Sequence, residues 1–342
     1  MGRPARRPPL IDVRVVVTGA GGYLGAAIVG ALRRRDHDVL ALVRDDQQAA
    51  SAGASGARTR VLDLRALEML FEHAYGADAI VHAAYEPANG GAVERRAVDA
   101  LIEALKGTGN RLVYTSTLAL PPGIAAYPAE ERPDAAAPPW HWRVANEYRA
   151  LDGLRRGVAV SVVRPPLAYG RRGGGVVLRG MLRDARERGR VRYVGEGSAR
   201  WSTVHVDDLA DAYAAILETG EAARVYAPSS REHLAQRDLA TLVALAVRGR
   251  GETEAWPLAE ARSLLGEYAD AATWDALADP GEAPPEWRPS RAPLRDTLLG
   301  DCTEFEGRDV MPLRVSTRSS SGTSRRASCS SNSSITRGSP VS

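Results

Sequence analysis

The clearest chemistry in the chain sits in Thr18-Gly-Ala-Gly-Gly-Tyr-Leu-Gly25. It follows a β-branched run over residues 13–17 and opens a helix-patterned stretch over 23–35. In that setting Gly19 permits a tight turn and Gly22 lets the main chain approach a pyrophosphate. Gly25 permits close helix–strand packing, and the helix N-terminus faces the phosphate charge. Tyr23 and Leu24 complete the loop and join the glycines as candidate cofactor contacts. A second apolar run, residues 39–43, ends at Arg44, where a carboxylate would favour ribose hydroxyls and an arginine a 2′-phosphate. The planar guanidinium suits phosphate, so NADP(H) is the expected dinucleotide. Asp45 follows immediately and can serve the ribose instead, which keeps NAD(H) open.

These residues need a sheet to hold them. Further short apolar runs lie at 60–62, 79–82, 111–115 and 159–163, separated by helix-length segments such as 92–105 and 143–154. Strand–helix alternation with short connections specifies a parallel sheet covered on both faces. The expected class is therefore α/β: a Rossmann-type doubly wound parallel sheet with a smaller C-terminal substrate lobe. The expected organisation is an N-terminal arm at 1–12, a dinucleotide-binding core at 13–170, and a substrate lobe at 171–314 with chain returns to the core. Residues 170–175 and the proline-rich stretch 282–293 read as irregular.

Composition narrows the partners. The 342 residues are 44% hydrophobic and 25% charged, ordinary for a globular protein. The formal charge is +3, but residues 315–342 hold four arginines and no acid, which leaves the body at −1. That body offers no electrostatic footprint for nucleic acid, and a small-molecule substrate is the expected partner. The tail is serine-rich and poor in large apolar side chains, so disorder is expected there. No apolar run approaches ~20 residues, and residues 1–10 lack a signal-peptide core, so no membrane association and a cytoplasmic setting are expected. Two cysteines, Cys302 and Cys329, build neither a disulfide framework nor a four-ligand zinc site, and no metal is expected.

Taken in order, the motifs resemble the extended short-chain dehydrogenase/reductase family, the NAD(P)-dependent epimerase/dehydratase group, from about residue 13 to 299. Besides Thr18–Gly25 they are Asp63-Leu64, His82-Ala-Ala84, Val113-Tyr-Thr-Ser-Thr117, Arg164-Pro-Pro166 with Tyr169-Gly170, and Trp201-Ser-Thr-Val-His-Val-Asp-Asp208. The resemblance implies that Asp63 and Leu64 lie at adenine, Ala83 and Ala84 at the cofactor ribose, and Pro166 near the nicotinamide. It also implies a homodimer through the helices at 92–105 and 143–154. Read as residues, Asp207 or Asp208 can cap a helix beginning at Leu209.

The family's chemistry uses Ser/Thr with Tyr-x-x-x-Lys, a spacing that puts phenol and ammonium on one helix face. The ammonium lowers the phenol pKa, and the phenol moves the proton as hydride moves. Thr117 occupies the Ser/Thr position. The pair itself is missing: Lys106 is the only lysine, and Ile102 stands four residues before it. Anchoring on Glu147 puts Arg143 in the lysine position, as ribose anchor, and Pro139 in the tyrosine position. Proline moves no proton. His141 has a suitable imidazole and is the first substitute, with Tyr85 and Tyr127 behind it. The expected function is an NAD(P)-dependent oxidoreductase or epimerase-like enzyme, acting on a small carbonyl, hydroxyl or sugar-type substrate with a non-standard proton donor. Two alternatives stay open: a cofactor-binding protein without redox turnover, and a non-redox enzyme on the same fold.

Overall fold

Val15, Val16 and Val17 are fully buried because successive strand residues point to opposite faces, and both faces of this strand are covered. A computed structural model describes residues 12–86, 88–120, 141–171, 173–219, 221–248, 250–266 and 268–300. The described chain begins with β1 (Arg14–Thr18), α1 (Tyr23–Arg33), β2 (Asp38–Val43), α2 (Asp46–Gly53), β3 (Arg58–Val61) and α3 (Leu67–Ala74). Next come β4 (Ala79–His82), α4 (Ala88–Leu105), β5 (Arg111–Thr115), α5 (His141–Leu151) and β6 (Ala159–Val163). They are followed by β7 (Leu167–Gly170), β8 (Gly173–Gly174), α6 (Val176–Arg188), β9 (Val191–Val194), β10 (Arg200–His205) and α7 (Val206–Thr219). The last elements are β11 (Arg224–Tyr226), β12 (His233–Ala235), α8 (Gln236–Arg248), β13 (Thr253–Trp256), α9 (Leu258–Leu265), α10 (Tyr268–Ala271) and α11 (Leu294–Leu299).

Seven strands form one sheet in the order β11-β6-β5-β4-β1-β2-β3, every pair parallel. Strand order reverses between β1 and β4, the place where open α/β sheets bind ligands beyond the strands' carboxyl ends. On one face, Val15 and Val17 pack with Ile28 and Leu32 of α1 and with Leu209, Tyr213 and Ile216 of α7. On the other, Val16 joins Leu70 of α3, Leu101 and Leu105 of α4, and Ala150 of α5. The alternation visible in the sequence therefore sorts side chains between two cores.

From residue 167, three residues inside the expected core boundary at 170, the chain builds a four-stranded sheet, β12-β10-β7-β8, and a two-stranded one, β13-β9. Their core joins Leu178 and Leu182 of α6 with Leu239 and Val243 of α8 and Leu294 and Leu298 of α11. The same stretch returns to the large sheet, with α7 on α1 and β11 beside β6.

Several boundaries differ from the sequence reading. The helix expected at 143–154 begins at His141, and its end tightens into a 3-10 turn, Asp152–Arg156, closed by Gly157 at φ 74°. The segment 170–175 is not irregular: Tyr169 pairs with Gly174 and Gly170 with Gly173 in an antiparallel β7–β8 hairpin. Tyr127, Pro139, the arm before residue 12, the cysteines and the tail at 315–342 lie outside the described residues.

The capping role expected of Asp207 or Asp208 is also corrected. The helix begins at Val206, three residues earlier than expected, so both acids lie inside its first turn. His205 Nδ1 accepts the Asp207 N–H at 3.1 Å. Asp207 instead pairs with Arg171 (2.7 Å). Asp208, almost fully buried, accepts the N–H of Ser290 and of Arg291 (3.0 and 2.9 Å) and the Ser290 hydroxyl (2.7 Å). It thus straps the C-terminal return to α7. Asp208→Ala leaves these donors without their acceptor, at about 1–3 kcal/mol for each group that stays buried. Urea denaturation is expected to show a midpoint lowered accordingly with an unchanged slope; an unchanged midpoint would mean the strap contributes nothing.

Candidate functional site

At the strand-order reversal lies a cleft of about 700 Å³. Gly19, Gly22, Tyr23, Leu24, Gly25, Arg44, Asp63, Leu64, Ala83, Ala84, Thr117, Arg143 and Pro166 all line it. His141 is placed only as the first residue of α5, its side chain being outside those described.

The glycine loop is shaped by contact. Gly19 has φ +67°, and a Cβ there would fall 2.6 Å from Ala84 Cα. A Cβ on Gly25 would fall 2.1 Å from the Gly19 carbonyl oxygen. Gly22, by contrast, is exposed, and its added Cβ would stand 3.2 Å from that oxygen. No side chain caps the start of α1 and its first turn holds no acid, so its main-chain N–H groups are left for an anion in the cleft. Tyr23 ties the loop to the smaller lobe by donating its hydroxyl to the Gly170 carbonyl (2.9 Å).

At the adjoining end, the Asp45 carboxylate accepts the Gln48 N–H (2.8 Å) and caps α2. That assigns Asp45, which could have served a ribose, to a local structural task. Arg44 is exposed and lines the cleft, and its guanidinium makes no hydrogen bond or ion pair among the described residues. Asp63 holds Arg65 through its main-chain N–H (2.8 Å) and guanidinium (3.3 Å), and the main-chain bond is the largest cause of its lowered pKa. Arg65 lines the cleft as a second basic group that sequence reasoning did not single out.

Beneath the middle of the cleft lies a buried polar network. Glu94 of α4 and Arg143 of α5 face each other, with Arg143 Nη1 at 2.8 and 2.9 Å from the two carboxylate oxygens. Nη2 donates to the carbonyls of Thr115 and Ser116 (3.1 and 3.2 Å). Burial works against the guanidinium charge, but Glu94 together with Tyr114, Tyr85 and Tyr213 outweighs it and the pKa is raised. The expected ribose anchor therefore has its two terminal nitrogens engaged within the protein. Its Nε and the Ser116 hydroxyl are buried without hydrogen-bond partners, and both residues line the cleft. Tyr114 donates its hydroxyl to Glu94 (2.6 Å), and Tyr213 donates to Thr115 Oγ1 (2.8 Å). Burial raises both phenols above the ordinary range and keeps them neutral.

A formed loop with tight backbone approaches, an uncapped helix start and unpartnered buried groups fit a dinucleotide. Among the described residues, no group of three or more His, Cys, Asp or Glu side chains could hold a metal ion. No helix described is long and apolar enough to cross a membrane.

The far end of the cleft is mostly apolar, with Leu118, Leu167, Val177, Trp201 and Ala276. Tyr268 reaches it from the smaller lobe and shares a hydrogen bond with the Tyr85 hydroxyl. Nothing in the sequence around Tyr268 marked it; only the closure of the lobes brings it to the site.

Two expected outcomes follow from this geometry. Gly22→Val leaves the loop close to its shape but fills the phosphate approach, so dinucleotide affinity falls at least tenfold with little change in melting temperature, whereas Gly25→Val destabilises the fold itself. Calorimetric titration beside thermal melting separates the two. His82 is buried and shares a 2.8 Å hydrogen bond with Thr18 Oγ1. Burial pushes its pKa down to about 4, so the native state holds the neutral ring. That contribution is present above the unfolded value of about 6.5 and is lost as pH falls through about 4, up to about 3 kcal/mol in all. Denaturation between pH 7 and 4 is expected to show the loss, reduced in His82→Asn; an identical profile in both proteins would assign the loss elsewhere.

Comparison with known proteins places this site in a family. The chain is 29% identical over 259 residues to 2-alkyl-3-oxoalkanoate reductase of Stenotrophomonas maltophilia, covering 69% of this chain and 76% of that one. It is 29% identical over 294 residues to the 4-hydroxy-2-methyl-3-oxo-4-farnesyl-3,4-dihydroquinoline-1-oxide ketoreductase of Stigmatella aurantiaca, covering 80% and 84% of the two chains. The fold is similar to that of UDP-glucose 4-epimerase from Thermotoga maritima, with a TM-score of 0.66 and 20% identity over 83% of this chain and 96% of that one. The model of the NAD dependent epimerase/dehydratase family matches residues 15–227. That span begins at the second residue of β1 and ends just past β11, so it takes in the seven-stranded sheet apart from Arg14 and most of the cleft lining, while Tyr268, Ala271 and Ala276 of the lining lie beyond it. The chain belongs to the NAD dependent epimerase/dehydratase family and is an enzyme of its NAD(P)-dependent oxidoreductase/epimerase kind.

Proposed function

We propose that this enzyme is an NADPH-dependent reductase of small, largely apolar carbonyl compounds. The observation that carries the reading is the division of labour at the end of β2. Asp45 is occupied as the cap of α2, while Arg44 lines the cleft with its guanidinium uncommitted. A 2′-phosphate is the ligand group such a guanidinium recognises, through charge-assisted hydrogen bonds. The apolar end of the cleft supports the substrate class: Leu118, Val177 and Trp201 make its wall, with Arg179 of α6 as the charged residue beside them. A sugar diphosphate, by contrast, needs polar partners along its whole length. Two of the curated relatives are named as reductases of oxo compounds, which agrees with this direction.

In this reading the bound nicotinamide supplies a hydride. The protein's part is to bind, orient and protonate. Thr117, beyond β5, offers a hydroxyl to the substrate oxygen. Arg143, immobilised on Glu94, provides a fixed positive charge under the reacting centre. The Pro165-Pro166 turn and Leu167 close the side of the cleft against water.

Arg44→Ala is expected to weaken NADPH binding by about 1–3 kcal/mol and leave NADH nearly unchanged. Fluorescence titration with both dinucleotides measures this, and equal losses would assign Arg44 to folding. NADPH oxidation is expected with apolar ketones and aldehydes and not with sugar nucleotides. Tight NADPH binding with no carbonyl consumed would favour the alternative of a cofactor-binding protein without turnover.

A further inference from the structure

The reductase reading requires a proton donor, and the sequence contains no Tyr-x-x-x-Lys pair. Three phenols nevertheless line the cleft, Tyr23, Tyr85 and Tyr268; Tyr23 donates its hydroxyl to the Gly170 carbonyl, and the other two face each other. The hydroxyls of Tyr85 and Tyr268 hydrogen-bond to each other although the residues stand 183 positions apart. Tyr85 lies in the loop after β4 of the large sheet, whereas Tyr268 opens α10 in the smaller lobe. Thr117, the substrate-oxygen contact of the reductase reading, lines the same cleft.

The surroundings of Tyr85 are those a proton-donating phenol needs. Arg143 lies over its ring, with the guanidinium carbon 4.9 Å from the ring centroid. The Trp142 ring packs against it at 5.7 Å. A cation held there favours the phenolate left behind when the proton departs, the service an ammonium performs in a Tyr-x-x-x-Lys pair. The arginine cannot be displaced by solvent or deprotonated, since Glu94 and two main-chain carbonyls hold it. Other groups near Tyr85 are Tyr268 from α10 and the neighbouring Glu86. The Glu86 carboxylate faces Arg65 at 3.8 Å, and Glu94 of α4 stands behind Arg143.

We propose that Tyr85 is the proton donor to the substrate oxygen and that Tyr268 is the positioning residue that aims its hydroxyl and returns a proton to it. The proposal rests on the reductase reading. In the step, the carbonyl carbon gains a C–H bond from the hydride of NADPH and is reduced, NADPH being oxidised to NADP⁺. The carbonyl π electrons move to oxygen, which takes the Tyr85 proton as the phenolic O–H bond breaks. Tyr85, itself 40% exposed, then recovers a proton from water by way of the hydrogen bond it shares with Tyr268. The sum is carbonyl plus NADPH plus one proton giving alcohol plus NADP⁺.

Tyr85→Phe keeps the ring beneath Arg143 and removes only the hydroxyl. It is expected to lower kcat by ~10²–10⁴-fold, the scale of general acid catalysis, while the NADPH dissociation constant stays within about twofold. Tyr268→Phe is expected to lower kcat less, by about tenfold, and the double variant to be no slower than Tyr85→Phe alone, because the two act as a unit. A readout independent of turnover is ultraviolet titration of tyrosine ionisation in the ligand-free protein. One phenol should ionise ahead of the others, vanish in Tyr85→Phe and ionise later in Tyr268→Phe. If the parent reduces carbonyls and Tyr85→Phe does so at the parental rate, the proton-donor assignment is overturned while the reductase reading stands. If the first phenol to ionise in the parent does so at the same pH in Tyr268→Phe, the coupling of the phenols is overturned. If the parent binds NADPH and reduces no carbonyl, the reductase reading falls and takes this proposal with it.

Discussion

The buried ion pair of Glu94 and Arg143 is the interaction on which the rest of the site depends. Taking two charges out of water costs several kcal/mol for each, and the cost is recovered only with excellent geometry and satisfied remaining groups. Here one carboxylate meets two short contacts from a single guanidinium nitrogen and a third from the Tyr114 hydroxyl. The other terminal nitrogen closes on the carbonyls of Thr115 and Ser116. The pair therefore joins α4, α5 and the end of β5 at one point. Without it, the chain leading to Thr117 would lose the contact that fixes its direction. The Trp142 ring leans on Gly91, where a side chain would meet it at 2.1 Å, so α4 and α5 approach closely beside the pair.

The groups around this pair are held neutral. His82, Tyr114 and Tyr213 are all buried, and in each case burial is the largest cause of the displaced pKa. A low local dielectric strengthens every charge interaction that remains. Arg143 is the member of the pair that lines the cleft, while Glu94 holds it from behind. A guanidinium fixed over the Tyr85 ring suits chemistry in which negative charge develops on the phenol oxygen.

The second buried pair has a different task. Glu147 and Arg164 bond at 2.7 and 3.2 Å and fasten α5 to the start of the Pro165-Pro166 turn. Asp208 and Glu232 secure the C-terminal return, Glu232 accepting the N–H groups of Leu294 and Arg295 (3.0 and 3.1 Å). Tyr169 donates its hydroxyl to the Ala292 carbonyl in the same region. These bonds set the position of the smaller lobe, and with it the position of Tyr268. The cleft is thus bounded by two parts of the chain that are cross-linked by buried polar groups as well as by apolar packing.

What the sequence determined by itself was local. Apolar runs with short periods specified the parallel sheet, and the spacing of Gly19, Gly22 and Gly25 between a strand and a helix specified where a phosphate is received. Counting residues was enough to show that a Tyr-x-x-x-Lys pair is absent. Such features reside in backbone conformation and short-range spacing, which a linear text preserves. Tertiary structure decided the rest. Glu94 stands beside Arg95 and Arg96 and reads as one more charge on a helix, yet it is fully buried against Arg143. Asp45 was open to a ribose until its carboxylate was seen on the Gln48 N–H. Asp208 read as a helix cap until helix α7 was seen to begin at Val206. Tyr268 carried no signal at all. The reason is common to these cases: a side chain's partner is set by which elements pack together, and periodicity along one segment holds no information about a hydroxyl 183 residues away.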